Sequence, residues 1–414
     1  MTRTWNMILN NDIRLDKMLS DSLSIYDQAL YYQRQAYFET KSKGKIKTHS
    51  NYELWDLVKK DNAVLDSKMD INIKQQVVKQ VYNNWKAFIK SVMSFRNKPS
   101  LFKGKPKMPN YLYKTKDWNI IYIDKTRFRK RNEETNSFCL PCSDYKVNIP
   151  KKINLKDIRQ ISVQKFYGKT KINIIYEDKN IKQYEYDSNS SIGIDIGVNN
   201  LMAITSNDKS FSYIVNGCPL KSINQFYNKK LSELKSELDI KNKAKSSKAI
   251  QRLTLKRNNK INHYIHCCSK MIIDLCVENK IENIIIGHNN GWKQESNMGK
   301  KTNQNFVQIP FNMLIEQLKY KSEKYIGLKV NIVEESYTSK IDHLVFEDMK
   351  HQKDYLGKRI KRGLYKSSCG KLLNADINGS IGILRKGNAI TDDQILVLHD
   401  RGDVVSPKML VINS

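Results

Sequence analysis

Asp195 is the acidic residue of this sequence whose surroundings most suggest chemistry. It is the only acid in the apolar segment 192–196, where Ile194 and Ile196 flank it and Gly197 follows. A charged side chain in an apolar strand costs free energy unless it is paired or binds a metal ion. We therefore expect Asp195 to be a metal ligand, and the alternative is a simple cap of the turn at Gly197.

Two further acidic positions follow later in the chain. Asp376 comes just after Asn374, a good helix cap, so we expect it in the first turn of a helix, where the helix dipole favours negative charge. Capping alone would also explain Asp376. Glu334 and Glu335 end an apolar segment. Because adjacent strand residues point to opposite faces, only one of these two can reach a site beside Asp195.

Carboxylates that converge from separate elements suit the hydrolysis of a phosphodiester bond. Two divalent ions about 3.5–4 Å apart can activate water and stabilise the leaving oxygen, and each ion needs oxygen ligands. The acidic positions therefore predict a metal-dependent nuclease site, provided that the fold brings them together.

The elements expected around these acids follow the order of a ribonuclease H-like fold. Three meandering strands come first, and helices then alternate with strands. The predicted strands are 192–196, a second strand after the Gly/Asn turn, 211–215, 282–287 and 328–336, and the predicted helices are 222–239, 247–279, 309–325 and 374–386.

The first half of the chain has a different character. A strand at 2–9 precedes two helices, 14–38 and 72–93, whose apolar residues recur every three or four positions. Three prolines and a glycine break regular structure at 99–109, and a β-rich segment that suits a small barrel or sheet fills 110–190. The expected fold class is multidomain, α+β followed by α/β.

Net charge narrows the possible partners. The chain has 414 residues, and its 72 Lys and Arg exceed its 42 Asp and Glu by 30. Three segments, 96–131, 221–262 and 350–371, carry +26 of this surplus. Such a surplus argues against an ordinary neutral metabolic enzyme and favours nucleic acid as the partner, with aromatic residues in the first segment available for stacking.

A membrane partner is not expected. No apolar run approaches the roughly 18 residues of a spanning helix, and the first residues lack the apolar stretch of a signal peptide. Seven cysteines, an odd number, are best interpreted as reduced thiols. We therefore expect a cytoplasmic, nucleoid-associated protein of a prokaryote.

Three motifs together resemble a known family. The segment GIDIGVNNL around Asp195, YTSK at 337–340 and ADINGS at 375–380 resemble the split nuclease motifs of TnpB, the transposon-encoded RNA-guided DNA endonucleases related to type V CRISPR effectors. Further similarities are PSLFKGKPKMPNY at 99–111, the helix at 257–269 and GKRIKRGLY at 357–365. The resemblance covers nearly the whole chain, and the ordered combination is far more specific than any one motif.

The resemblance implies a domain organisation around a RuvC nuclease domain, which has the ribonuclease H-like fold. The implied domains are the first strand of a wedge domain (1–12), a helical recognition domain (13–98), a β-barrel wedge domain (99–190), the RuvC domain in two parts (191–340 and 373–390), a basic insert that binds target nucleic acid (341–372) and a C-terminal tail (391–414).

The resemblance also implies the activity and the partners. A guide RNA cut from the element's own end would select double-stranded DNA next to a short motif, and two Mg²⁺ ions, replaceable by Mn²⁺, would support hydrolysis. The implied catalytic and metal-binding residues are Asp195, Glu335 and Asp376. The oligomeric state, a monomer or a dimer on RNA, stays open.

The sequence departs from the family at two places. The usual glutamate at the end of the fourth strand is replaced by Gly287, and the chain resembles a branch, shared with the eukaryotic Fanzor relatives, in which the acid lies after the next strand. The spacing between the glutamate and the Thr-Ser pair of YTSK then favours Glu335 as the relocated acid, with Glu334 as the alternative. The four-cysteine zinc finger is also missing, since 341–371 holds only Cys369, and the lone Cys139–Cys142 pair is more simply explained as incidental, so no zinc is expected.

Several basic residues are expected to contact nucleic acid. In the turn at 287–294, Asn290, Trp292 and Lys293 could lie beside the nuclease cleft, although a polar turn with a packed Trp explains them equally well. A solvated loop is likewise the alternative for the basic residues of the insert. The full predicted set is Lys103, Lys105, Lys107, Arg257, Lys293, Lys358, Arg359, Lys361 and Arg362.

Two other functions fit parts of the sequence. A nuclease-inactive, RNA-guided DNA-binding repressor would explain why Gly287 stands at the usual glutamate position. A transposase that joins DNA ends could use the same fold. The intact Asp195 and Asp376, with an acid at a plausible substitute position, favour the endonuclease.

Overall fold

The chain folds into two compact units. The computed structural model describes residues 1–42, 47–115, 119–141, 143–241, 246–289, 291 and 299–412. The first unit is Met1–Lys179 and the second is Asn180–Ser414. This boundary lies earlier than the expected one after residue 190, because Lys182 and Gln183 already pair with Tyr325 and Ile326 of the second unit. A long strand of the second unit also begins at Asp187. None of the described helices is long and apolar enough to cross a lipid bilayer.

The first unit combines a helical segment with antiparallel strands. Its strands are β1 (Thr2–Leu9), β2 (Ile121–Asp124), β3 (Arg129–Asn132), β4 (Ser137–Cys139), β5 (Lys146–Asn148), β6 (Ile158–Phe166) and β7 (Lys169–Glu177). Its α-helices are α1 (Ile13–Ser42), α2 (Asn51–Val58), α3 (Asn62–Leu65), α4 (Ile71–Asn97) and α5 (Leu112–Thr115).

The strands of the first unit form two sheets, in the orders β1-β7-β6-β2 and β3-β4-β5. Because β1 pairs with β7, the helices are inserted between strands of one sheet, as the resemblance implies. The apolar stripe of α4, with Val77, Val81 and Trp85, packs in the same core as strand residues such as Ile121 and Ile161. The helical and β-rich segments therefore share one core and do not form separate cores.

The second unit contains the acidic positions. Its strands are β8 (Lys182–Gln183), β9 (Asp187–Ile196), β10 (Asn200–Ser206), β11 (Ser212–Asn216), β12 (Ile281–Gly287), β13 (Tyr325–Ile326), β14 (Lys329–Val333), β15 (Lys358–Lys361), β16 (Leu364–Lys366), β17 (Leu372–Asn374) and β18 (Lys408–Leu410). Its α-helices are α6 (Cys218–Lys241), α7 (Lys248–Glu278), α8 (Lys300–Gln308), α9 (Phe311–Ser322), α10 (Ala375–Lys386) and α11 (Asp392–Leu398).

A six-stranded mixed sheet organises this unit, in the order β14-β12-β9-β10-β11-β18. Strands β9, β10 and β11 are antiparallel neighbours, and β12 and β14 continue the sheet in parallel with β9. Strand β9 is covered on both sides: Ile192, Ile194 and Ile196 are buried on one face, and Gly193 and Asp195 lie against the last long helix on the other. The predicted ribonuclease H-like strand order is confirmed.

Helix α10 lies against this sheet. The side chain of Asn374 caps the helix by accepting hydrogen bonds from the backbone N–H groups of Asp376 and Ile377. Ile377, Ile381 and Leu384, the stripe expected from their spacing, are all buried. The predicted last helix is thus confirmed, and it carries Asp376 to the sheet that holds Asp195.

The C-terminal residues do more than form a tail. Residues 392–398 form α11, and β18 pairs in parallel with β11 and so forms one edge of the sheet. Arg401 anchors the connection by an ion pair with Asp403 and a 3.1 Å hydrogen bond to the carbonyl of Ser206. The segment expected as a C-terminal tail, 391–414, thus includes a helix and a strand among its described residues. A three-residue strand is too short to leave a periodic signal in the sequence.

Candidate active site

Asp195 lies near the end of the central strand β9, directly beneath α10. A Cβ atom built on Gly379 of α10 would stand 2.6 Å from Oδ2 of Asp195, so the helix can cover this carboxylate only because residue 379 has no side chain. Burial, together with the negative charges of Glu335 and Asp376, raises the pKa of Asp195 to about 7, and Arg359 opposes that rise. Asp195 is therefore next to both of the other predicted acids.

Glu335 approaches the same place from beyond the end of β14. That strand ends at Val333, so both glutamates lie in the following segment and the rule of alternating strand faces does not apply to them. The backbone N–H of Glu335 donates a 3.0 Å hydrogen bond to Oδ1 of Asn289. Burial is the main cause that raises the pKa of Glu335 to about 7, with the charge of Glu334 adding to it.

Gly287 gives the relocated glutamate its room. A Cβ atom built on Gly287 would stand 3.3 Å from Cβ of Glu335 and 2.6 Å from Cδ1 of Ile383. A side chain at residue 287 would therefore crowd the side chain of Glu335, and glycine leaves that space open. Glu334, by contrast, is exposed and faces Lys386 at 3.7 Å.

Asp376 is held by two donors. Nδ2 of Asn200 donates a 2.6 Å hydrogen bond to Oδ2 of Asp376, and Arg359 donates a 3.0 Å hydrogen bond to Oδ1. Asn200 begins β10, the strand that pairs with β9, and Arg359 lies on β15 of the basic insert. The carboxylate of Asp376 is thereby fixed in orientation and partly neutralised.

One oxygen of these three acids lacks a hydrogen-bond partner among the described residues. Oε2 of Glu335 is buried and receives no hydrogen bond from any described residue. An uncompensated buried oxygen among like charges is a natural position for a cation. No group of three His, Cys, Asp or Glu side chains in the described part of the chain forms a ready-made metal cage. Magnesium commonly uses one or two carboxylates together with water and substrate phosphate, so such a cage is not required.

The basic insert is organised by buried carboxylates. Asp342 is fully buried, and its Oδ2 accepts hydrogen bonds from the hydroxyl of Ser367 at 2.8 Å and from the backbone N–H of Ser368 at 2.7 Å. Glu347 closes a second loop by accepting hydrogen bonds from the N–H groups of Asp342 and Leu356. These bonds tie the beginning of the insert to the turn between β16 and β17.

His343 links the insert to α10. Its Nε2 lies 2.7 Å from the carbonyl oxygen of Thr338, and its Nδ1 lies 3.0 Å from Nη1 of Arg385. Because burial lowers the pKa of His343 to about 3, the ring is neutral; it donates to the carbonyl and accepts from the guanidinium. The YTSK motif, the insert and α10 are thus joined through one side chain.

Replacing Asp342 by alanine is expected to loosen the insert selectively. The variant leaves a buried hydroxyl and a backbone N–H without their charged acceptor, at a cost of about 3 kcal/mol, or roughly a 100-fold faster opening. Hydrogen–deuterium exchange of peptides covering 341–374 measures this opening. Asp348→Ala is the matched control because Asp348 makes only an exposed ion pair with Lys350. Equal exchange in both variants would show that Asp342 does not organise the insert.

The predicted nucleic-acid ligands fall into distinct groups. In the insert, Arg359 contacts Asp376, and the predicted basic residues beside it are exposed on β15 and its turn, namely Lys358, Lys361 and Arg362. Lys103, Lys105 and Lys107 are exposed in the first unit. Lys293, with Asn290 and Trp292, lies outside the described residues, as does Cys142. The lysines and arginines named here remain predicted ligands of nucleic acid.

Arg257 has a different environment. Its Nε and Nη2 both donate to Oδ1 of the buried Asn224, and Nη2 also donates to the carbonyl of Gln308. The guanidinium therefore joins α6, α7 and α8. Composition could not indicate this, since a basic residue within a basic segment looks like a surface residue.

Sequence reasoning missed several supporting residues. Asn200 and Asn289, which position two of the three acids, are uncharged and lie in turns or strand ends. Asp342 and His343 stand in a segment where basic residues and cysteines, but no buried acid or histidine, were expected to matter. The only available signal was the polar Gly/Asn turn after Asp195, which contains Asn200.

Comparison with known proteins agrees with this architecture. Residues 172–293 match the family model OrfB_IS605, described as a probable transposase, and residues 311–383 match the Cas12f1-like TNB domain. The second match contains the basic insert and Asp376. The first contains Asp195, so both parts of the candidate site lie within matched regions.

Individual relatives are distant. The TnpB-like protein ORF457 of Acidianus two-tailed virus is 22% identical over 245 residues, covering 57% of this chain and 50% of that protein. The match thus spans about half the length of this curated relative. Among solved structures, the Cas12f1–sgRNA–target DNA complex has a TM-score of 0.54 at 17% identity, over 89% of this chain and 81% of that chain, which shows a similar fold. The resemblance to TnpB is confirmed at this level: the chain has a region that matches OrfB_IS605 and a region that matches the Cas12f1-like TNB domain, on a fold similar to that of Cas12f1.

Proposed function

We propose that this chain is an RNA-guided, RuvC-type DNA endonuclease encoded by a transposable element. The observation that carries the proposal is the meeting of three carboxylates from separate elements at one end of a ribonuclease H-like sheet. Asp195 comes from the central strand, Glu335 from the segment after β14 and Asp376 from the first turn of α10. A site built in this way serves phosphodiester hydrolysis better than it serves binding alone.

The proposed metal ligands are Asp195, Glu335 and Asp376, with two Mg²⁺ ions as the cofactor and Mn²⁺ as a substitute. The buried, unpartnered Oε2 of Glu335 supports this assignment. When bound, the ions would activate water and stabilise the leaving oxygen, giving a 3′-hydroxyl and a 5′-phosphate.

The protein's own residues position these acids and the strand. Asn200 holds one oxygen of Asp376, which leaves the carboxylate a single orientation. Arg359 neutralises the other oxygen, and because it is exposed on β15 it can transfer its hydrogen bonds to a phosphate of the strand that is cut. Its exposed neighbours Lys358, Lys361 and Arg362 would hold the same strand.

The proposed partners are a guide RNA and double-stranded DNA. The similar solved structure is a complex of Cas12f1 with guide RNA and target DNA, and this chain's three basic segments supply a surface of matching charge. Base pairing would select the target, and the first unit, with Lys103, Lys105 and Lys107, would take part in binding the RNA and a short motif beside the target.

Sequencing of the RNA that copurifies with the full chain tests the RNA-guided part of this proposal. We expect one structured RNA species that begins within the element's own end and finishes in a segment of variable sequence. A random sample of cellular RNA, matching the host transcriptome in abundance, would contradict it.

A further inference from the structure

A cavity of about 230 Å³ opens between α6 and α7, in the second of the three basic segments. Its walls are apolar and aromatic, formed by Ile223, Phe226, Tyr227 and Leu253, and Lys256 and Lys260 also line it. Phe226 leaves 59% of its surface exposed, which is unusual for a phenylalanine beside a cavity. None of the acids predicted as metal ligands lines this cavity.

The cavity is built on a rigid base. Arg257 joins the helices through its 2.6 Å hydrogen bond to Asn224, and its guanidinium lies 5.5 Å from the centre of the Tyr227 ring. The hydroxyl of Tyr227 is 3.2 Å from that of Thr254. Asn228 and Gln308 then exchange two amide hydrogen bonds, of 3.0 and 2.8 Å, which tie α6 to α8. These contacts fix α6, α7 and α8 to one another without any ligand.

The chemistry of the cavity selects a flat ligand attached to negative charge. Phe226 offers an exposed ring face, and aromatic rings bind nucleic-acid bases by stacking with little regard to sequence. Lys256 and Lys260 are exposed, one turn apart on α7, and form no ion pair within the described residues. The surrounding segment 221–262 has 12 basic and 3 acidic residues, which argues against an apolar peptide and for a nucleic-acid strand.

We propose that this cavity binds one unstacked base of a single strand, with Phe226 stacking on the base and Lys256 and Lys260 contacting the adjacent phosphates. The site rests on the proposed function only in that nucleic acid is the partner; it lies apart from the carboxylates and does not require cleavage. The site would hold the strand at a fixed position on the second unit, independently of the base sequence.

Anisotropy measurements on the full, RNA-free chain in EDTA test this site. The probes are ten-nucleotide oligothymidylate, oligouridylate and an abasic strand of equal length. We expect the wild type to bind the base-containing strands at least about 5-fold more tightly than the abasic strand. Phe226→Ala and Phe226→Leu should lower this ratio towards one, whereas Phe226→Trp should preserve it. If the Phe226 variants lose more affinity for oligothymidylate, the bound strand is DNA. If they lose more affinity for oligouridylate, the bound strand is RNA.

The lysines have a different expected signature. Lys256→Ala with Lys260→Ala should weaken binding of all three probes equally and reduce the salt dependence by about 1.4 in the slope of log affinity against log salt. Lys319→Ala on α9 is the control, because that lysine is paired with Glu316. A second readout is crosslinking of 4-thiouridine in the oligouridylate, which should label the peptide that contains Phe226.

Unchanged base-to-abasic ratios in both Phe226→Ala and Phe226→Leu, or crosslinks only outside 222–260, would overturn the proposal. Because binding is measured without divalent ions, a failure here leaves guided cleavage unaffected. Equally, a chain that proves unable to cleave would still show the base preference if the cavity is a nucleotide site.

Discussion

Replacing Asp195 by asparagine is expected to lower target-DNA cleavage by at least about 10³-fold, equivalent to about 4 kcal/mol of lost transition-state stabilisation. Asparagine has nearly the same shape, so it should fit beneath Gly379 as the aspartate does. What it removes is the charge at the centre of the proposed site, where two other acids act on the same carboxylate. The Asp195→Asn variant therefore tests the loss of the charge while the fold stays the same.

Cleavage rates with saturating RNA and Mg²⁺ measure this effect, and RNA affinity and thermal unfolding serve as checks on the fold. Asp187→Asn is the matched control, since Asp187 begins the same strand β9 but pairs only with Lys209 at the surface. We expect RNA affinity to be unchanged in both variants. An Asp195→Asn protein that cleaves as fast as the control would show that the site is elsewhere.

Glu335→Gln is expected to reduce cleavage by at least about 10²-fold, whereas Glu334→Gln should change it by less than about 3-fold. The reason is geometric: Glu335 acts on Asp195 and has a buried, unpartnered oxygen, while Glu334 is exposed towards Lys386. Single-turnover cleavage of one target by the two variants and the wild type gives the comparison.

The same pair of variants tests the repressor alternative. A protein that only binds DNA would show no cleavage in the wild type and no difference between the variants. If Glu334→Gln were the inactive one, the assignment of the relocated acid would move by one residue. Restoring a glutamate at residue 287 is not expected to rescue Glu335→Gln, because a side chain there meets Cδ1 of Ile383 at 2.6 Å.

Much of the second unit could be predicted from the sequence because its signals are local. The apolar segment around Asp195 predicts a covered strand, and Asn374 before an apolar stripe predicts a capped helix; both are confirmed. The order of strands then brings Asp195 and Asp376 to one place. The side chains that orient them, Asn200 and Asn289, could not be found because they act through contacts distant in sequence.

Other features depend on tertiary contacts that no local pattern records. Glu334 and Glu335 were expected on a strand, but β14 ends at Val333 and their directions are set by Asn289 and Lys386. In the insert, Asp342 accepts hydrogen bonds from residues some 25 positions later, which gives the segment a buried polar centre that cysteine counting cannot reveal.

The first unit shows the same limit. Its strands and its two long helices follow from periodicity, yet their joint core does not, because packing between β1 and β7 or between α4 and β2 joins residues far apart in the chain. The helical segment and the β-rich segment therefore share one core within the first unit. The role of this unit in binding RNA remains a prediction.

Exchange of the guide segment is the most direct test of RNA-guided cleavage. The full chain is loaded with its copurified RNA in which only the variable 3′ segment is rewritten, and two plasmids are offered in Mg²⁺, one matching the original segment and one matching the new one. The account predicts that cleavage moves completely to the newly matched plasmid and is absent with Asp195→Asn. Cleavage that stays on the original plasmid, or that is the same on both, would contradict it.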